Sequence, residues 1–234
     1  MNYQIQVYTD GEDCPVGYEQ IIAEWNVKWN HYYAHIGTLE FLEPKNLKHQ
    51  INVVELPENA AKIVDIRNPD LLFILCGTQQ CIGGVEITTH SPDGSNAEKR
   101  YPYLWASNKL QVNGFIACPY QKIRANGSIN KLPNRHSKRN IYFLNKWESP
   151  SDYLCQIVPI RDLQLKDFQQ LPENIKQTIM SFSDLGEFFA HYLALTVGGA
   201  DTVATEQLLS TDESTILLRT RSARSDREAT ISFC

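Results

Sequence analysis

The chain has no apolar stretch approaching the roughly 18 residues needed to cross a bilayer. Its first residues, Met1-Asn2-Tyr3-Gln4, lack the basic and apolar regions of a secretory signal. We therefore expect a cytoplasmic protein with no membrane partner, in which the six cysteines stay reduced. Cys76 and Cys81 lack the spacing and the second cysteine pair that a zinc knuckle needs.

Three common catalytic signatures are also missing. The sequence has no glycine-rich phosphate loop of the GxxxxGK type and no Gly-x-Ser-x-Gly nucleophile elbow. His31 and His35 are spaced four apart, but the glutamate of a zinc-protease helix is missing between them. The sequence therefore gives no support for a phosphate-loop nucleotide hydrolase, a serine hydrolase with a nucleophile elbow or a zinc protease.

Acidic residues are absent from one long segment, residues 99–147, which holds ten basic residues. The whole chain has 22 basic and 27 acidic residues, so 12 basic and all 27 acidic residues lie elsewhere. A net charge of −5 thus hides a strongly basic segment within an acidic remainder. This segregation favours a surface that contacts a phosphate backbone. A solvated basic loop or a subunit contact is the alternative.

A chain of 234 residues can bury the core of a full domain, and 42% hydrophobic with 21% charged content is ordinary for globular proteins. We predict a single domain over residues 1–234. The Lys-, Arg-, Asn- and Gly-rich composition of residues 121–140 predicts a basic loop or hairpin insertion. The polar residues near the end predict a mobile tail over 222–234.

Two acidic residues mark the ends of a predicted β-hairpin. Leu71–Cys76 and Val85–Thr89 have strand patterns, and a turn-like segment lies between them. Antiparallel partners have numbers with a constant sum, here about 156 to 158, which places Asp70 opposite residues 86–88. An even sum puts Asp70 and Glu86 on one face. Adjacent carboxylates repel unless a cation lies between them, and oxygen ligands suit Mg²⁺.

Pro69-Asp70, followed by Glu86-Ile87-Thr88, resembles the motif of the PD-(D/E)XK nuclease superfamily, which includes many type II restriction endonucleases. The resemblance covers roughly residues 50–120 as helix, hairpin, helix and strand. It implies an α/β fold with a central mixed β-sheet flanked by helices, a restriction-endonuclease-like core. It also implies Mg²⁺, replaceable by Mn²⁺, bound by Asp70, Glu86 and the backbone carbonyl of Ile87.

The chain departs from this motif at one position. The family usually has a lysine two residues after the second acid, where this chain has Thr88. Divergent members carry the lysine on the following helix, and Lys99 is similar in position to it. A Ser-x-x-Glu capping box at Ser95 predicts that this helix begins there, unless Pro102 kinks it or marks its true first turn. Further candidates near the site are Glu24, Asp65, Thr88 and His90.

The basic segment supplies the predicted nucleic-acid contacts, because arginine and lysine bind phosphates and arginine also donates in a fork to guanine. The candidates are Arg100, Lys122, Arg124, Lys131, Arg135, Lys138 and Arg139. The resemblance therefore implies a metal-dependent endonuclease of double-stranded DNA, catalysed by Asp70, Glu86 and Lys99, in restriction or a related defence. A palindromic target would favour a homodimer. The alternatives are an inactive DNA-binding protein on the same fold and an oligomeric interaction protein without nucleic acid.

Overall fold

The computed structural model describes residues 1–11, 15, 17–47, 56–78, 80–87, 100–119, 155–160 and 182–198. The strands are β1 (Asn2–Thr9), β2 (Thr38–Phe41), β3 (Lys45–Asn46), β4 (Leu71–Leu75), β5 (Gln80–Ile87), β6 (Gly114–Pro119) and β7 (Cys155–Ile160). The helices are α1 (Tyr18–Tyr33), α2 (Glu58–Ile66), α3 (Tyr101–Lys109) and α4 (Phe182–Thr196).

The strands form one mixed sheet in the order β2-β1-β4-β5-β6-β7, with the short β3 also paired to β1. β4 runs antiparallel to its neighbours β1 and β5, whereas β5, β6 and β7 run parallel to one another. The predicted central mixed sheet flanked by helices is therefore confirmed. Because β4 alone runs in reverse, its first residue lies at the sheet end where β1 and β5 finish.

Two hydrophobic clusters cover the two faces of the sheet. One cluster joins α1 and α4 to Leu71, Phe73 and Val85. The other joins α2 and α3 to Leu72 and Ile74. All five residues of β4 are buried, which explains why its sequence is continuously apolar rather than alternating. The sheet thus separates an α1/α4 layer from an α2/α3 layer.

Helix α1 packs through an apolar stripe with a spacing of four residues. Ile21, Trp25, Trp29 and Tyr33 are its buried side chains. Trp25 stacks on Phe189 of α4, with ring centroids 4.9 Å apart. The two tryptophans thus belong to the core, as their spacing indicates, since side chains four apart share one helix face.

A β-bulge in β5 sets which side chains face each layer. Ile74 pairs with Cys81, and their numbers sum to 155, whereas Leu71 pairs with Val85, and theirs sum to 156. The register shifts by one between Phe73 and Ile74. Gly83, beside the shift, has φ of 155°, which non-glycine residues rarely adopt. Beyond the bulge the sum is even, the condition that puts Asp70 and Glu86 on one face.

The proline after the hairpin marks the first turn of a helix, one of the two predicted alternatives. α3 starts at Tyr101, so Pro102 lies in its first turn rather than at a kink, and the capping box at Ser95 lies outside the described residues. The order helix, hairpin, helix and strand from α2 to β6 agrees with the predicted layout. The predicted insertion at 121–140 and tail at 222–234 lie outside the described residues, and the single domain stays a prediction.

Candidate functional site

Two carboxylates lie side by side at one end of the sheet. Leu71 pairs with Val85, and continuing this register by one residue places Asp70 opposite Glu86. The backbone N–H of Ile87 donates to Oδ2 of Asp70 at 2.5 Å. This bond joins the residue before β4 to the end of β5. Asp70 is half-buried, and Glu86 is only 1% exposed.

Two arginines from two different elements neutralise Glu86. Nε of Arg67, the residue after α2, donates to Oε1 at 2.8 Å. Nε of Arg100, the residue before α3, donates to Oε2 at 2.9 Å. Each carboxylate oxygen therefore accepts a bond from a different guanidinium. Both arginines come from the α2/α3 layer, which confirms that Glu86 faces this layer.

The electrostatics of the pair favour protonation despite the arginines. Burial, followed by the repulsion of Asp70, raises the pKa of Glu86 to about 7, and Arg67 and Arg100 only partly offset this. Burial also raises the pKa of Asp70, against the opposing effect of the Ile87 N–H. A buried carboxyl whose pKa is raised by a neighbouring carboxylate is typical of functional sites, because two close negative charges are costly without a cation.

A third acid lies at the same sheet end. Thr9 pairs with Leu71, so the register continues to Asp10 opposite Asp70. The amide of Asn68 donates to Oδ1 of Asp10 at 3.1 Å, and Asp10 contributes to the raised pKa of Asp70. Sequence reasoning missed Asp10 because its segment has the composition of a turn.

Arg67 was also missed, although it lies three residues before Asp70 in Arg67-Asn68-Pro69-Asp70. Its basic charge beside the motif was the available signal. Arg100, predicted as a nucleic-acid contact, bonds to Glu86 in this structure. The second residue of the basic segment thus lies at the acidic pair.

The other predicted site residues are placed elsewhere or lie outside the described ranges. Asp65 is exposed on α2. Glu24 lies on α1, across the sheet from Glu86, where it accepts a bond from Oγ of Ser183 at 2.8 Å. Ile87 contributes its N–H to Asp70, and its carbonyl as a metal ligand stays a prediction. The residues outside the described ranges are Thr88, His90, Lys99, Lys122, Arg124, Lys131, Arg135, Lys138 and Arg139.

Carboxylates are the residue type that binds magnesium, but Arg67 and Arg100 donate to both oxygens of Glu86 in this structure. Within the described residues, no group of three or more His, Cys, Asp or Glu side chains could hold a metal. Asp70 and Glu86 nevertheless supply adjacent hard oxygen ligands. Mg²⁺ is usually held by one or two carboxylates together with waters and substrate phosphates, so two carboxylates suffice.

Comparison with protein-family models, curated proteins and solved structures found no match to this chain. Among the helices of the described ranges, none is long and apolar enough to span a membrane.

Proposed function

We propose that this chain is a metal-dependent endonuclease that hydrolyses phosphodiester bonds in double-stranded DNA. The observation that carries the proposal is the cross-strand position of Asp70 and Glu86 on one face, with Arg100 of the basic segment bonded to Glu86. Asp70, Glu86 and the Ile87 carbonyl would bind Mg²⁺ or Mn²⁺.

The arrangement supports a division of labour among the residues. A bound Mg²⁺ supplies Lewis-acid stabilisation of the phosphate charge and lowers the pKa of a water. Asp70 and Glu86 orient this ion at the sheet end. Lys99 positions the attacking water or contacts the phosphate, and the basic residues up to Arg139 hold the backbone. Water would attack phosphorus and the bond to the 3′ oxygen would break, leaving a 5′ phosphate and a 3′ hydroxyl that takes a proton from solvent. On a palindromic target, each subunit of a homodimer would cut one strand.

The test is cleavage of supercoiled plasmid DNA with Mg²⁺, with EDTA, and with the Asp70→Ala and Glu86→Ala variants in Mg²⁺. We expect cutting only by the unaltered chain in Mg²⁺. Glu58→Ala is the matched control, because this glutamate is exposed on α2 and pairs only with Lys62 among the described residues. Equal cutting in all four reactions would overturn the proposal.

A second candidate is a DNA-binding protein without cleavage, in restriction, defence or another cytoplasmic setting. It is favoured by the two arginines that occupy both oxygens of Glu86. Calorimetric titration with Mn²⁺ separates the two candidates, since only the nuclease needs binding that depends on Asp70 and Glu86. Filter binding across a salt series tests the DNA partner itself, because phosphate contacts weaken as salt rises. Salt-independent or absent binding would favour the oligomeric interaction protein.

A further inference from the structure

We infer that Arg67 and Arg100 exchange partners: they neutralise Glu86 in the metal-free protein and bind a DNA phosphate when a divalent cation occupies the acidic pair. This inference rests on the proposed nuclease function. It assigns to Arg67, which the sequence motif does not include, a positioning role toward the phosphate.

The hydrogen-bond geometry permits such an exchange. Arg67 and Arg100 each use Nε toward Glu86, and each on its own oxygen. A guanidinium carries five N–H donors, and the bond from Arg67 to Glu86 is made by Nε alone. The Arg67 side chain is 33% exposed and the Arg100 side chain 18%, whereas that of Glu86 is 2% exposed. The arginine side chains are therefore more exposed than the acid with which they pair.

The charge balance gives the reason for the exchange. Asp10, Asp70, Glu86, Arg67 and Arg100 carry three negative and two positive charges when ionised, a net charge of −1. A divalent cation at the acids changes this to an excess of one positive charge in a largely buried place. A phosphodiester brings one negative charge and accepts forked hydrogen bonds from arginine. Cation and phosphate should thus bind cooperatively, each raising the affinity for the other by the same factor.

One substitution, Arg67→Gln, should therefore change the affinities for a cation and for DNA in opposite directions. Arg67→Gln removes a positive charge beside the acids, so it should tighten the binding of a cation in the absence of DNA. The same substitution removes a phosphate donor, so it should weaken the binding of DNA. A purely structural role would predict the reverse for the cation, because loosening Glu86 can only disturb its site.

The experiment titrates Mn²⁺ by calorimetry at about pH 8, where competition from protons is weak. It uses the full chain, with and without a short mixed-sequence DNA duplex that carries phosphorothioate linkages. For Arg67→Gln without DNA we expect Mn²⁺ affinity at least about fivefold higher, and a smaller enhancement by DNA than in the unaltered chain. Arg67→Lys keeps the charge and should retain the original Mn²⁺ affinity.

Lys62→Gln is the matched control, since it loses the same charge from an exposed position on α2 and should change neither affinity. Unchanged or weaker Mn²⁺ binding by folded Arg67→Gln overturns the inference while the nuclease proposal stands. If Arg67→Gln does not fold, the test is whether DNA raises the Mn²⁺ affinity of the unaltered chain. If DNA does not raise this affinity, the inference is overturned. Failure of the unaltered chain to bind Mn²⁺ through Asp70 and Glu86 instead removes the proposed function, and the inference with it.

Discussion

The backbone N–H of Ile87 donates to Oδ2 of Asp70 across the end of the β4–β5 hairpin. This bond holds one carboxylate beside Glu86 while both arginines bond to the other. The site is therefore ordered by hydrogen bonds that keep two like charges close together. The repulsion between the two carboxylates destabilises the folded chain when both are ionised, so the free energy of unfolding depends on pH.

The free energy of unfolding should fall as pH rises from about 5 to about 8. In the folded chain the pKa of Glu86 is raised to about 7 by burial and by Asp70, so it keeps a proton that the unfolded chain has already lost. Its stabilising contribution is complete below the unfolded pKa of about 4.3 and is lost as pH rises through about 7. We expect a loss of about 3 kcal/mol, measured by urea unfolding at several pH values.

Glu86→Gln should remove this slope, because the amide cannot ionise. The variant should match the unaltered chain near pH 5 and exceed its stability near pH 8, as is usual when a functional charge is replaced. Glu187 is not expected to contribute, because its pKa is lowered to about 2, below this range. An equal slope in both proteins would show that Glu86 is ionised throughout.

Arg67→Gln should destabilise the chain by about 1–2 kcal/mol near pH 8, because it removes a hydrogen bond between charged groups from a buried acid. The cost should shrink near pH 5, where Glu86 carries its own proton. Lys62→Gln, an exposed loss of the same charge, should have little effect. Urea unfolding at both pH values checks this, and a pH-independent cost would contradict the pairing with ionised Glu86.

Acid unfolding should depend on Glu187, which joins α4 to α1. Its carboxylate accepts from Lys28 and Tyr32, and His191 lies nearby. His191, whose Nε2 lies 3.8 Å from Oε1, and the bond from Lys28 lower the pKa of Glu187 to about 2 against the opposing effect of burial. A lowered pKa gives stability that is present above the unfolded value of about 4.3 and lost as pH falls toward about 2.

Glu187→Gln should therefore lose less stability than the unaltered chain as pH falls through this range, when both are followed by circular dichroism. Glu19→Gln, on the exposed surface of α1, is the control and should behave like the unaltered chain. Identical acid profiles for Glu187→Gln and the unaltered chain would contradict the prediction.

Two glycines offer a matched test of whether the α2/α3 layer positions the site. A Cβ at Gly84 would lie 2.6 Å from the hydroxyl of Tyr103 on α3, and one at Gly186 would lie 2.6 Å from the backbone nitrogen of Trp25 on α1. Both Gly→Ala substitutions should destabilise the chain by about 1–3 kcal/mol through overpacking.

Only Gly84→Ala should also disturb the site, because α3 follows directly on Arg100. We expect weaker Mn²⁺ binding for Gly84→Ala and unchanged binding for folded Gly186→Ala, measured by calorimetry at a temperature where both are folded. Equal Mn²⁺ affinity in the two variants would show that the position of α3 does not matter to the acids.

Much of the element order follows from local pattern. The apolar run of β4 and the four-residue stripe of Trp25 and Trp29 predict a buried strand and a helix facing the core, and both are found. The edge strand β2 was missed, because its four residues alternate too briefly to give a signal. The first turn of α3 is at Pro102, one of the two alternatives that the sequence left open, because a proline fits a first turn and not a helix interior.

The acidic pair could be predicted only in part. A simple hairpin turn predicts the register to within a residue or two. Whether the sum of the paired residue numbers is even or odd then decides which face of the sheet Glu86 occupies. Near the turn the sum is odd, and the bulge at Ile82 and Gly83 restores an even sum before Asp70 is reached. The residues of the turn do not predict that bulge, because it depends on how β5 packs between β4 and β6.

By itself the sequence determined the segregation of charge and most of the described strands and helices, because periodicity and composition act over a few neighbouring residues. The tertiary structure alone decided that Arg67 and Arg100, from two different helix ends, meet on the two oxygens of Glu86. Residues separated by 14 to 19 positions come together only when the helices pack on the sheet, and that packing is a property of the whole core.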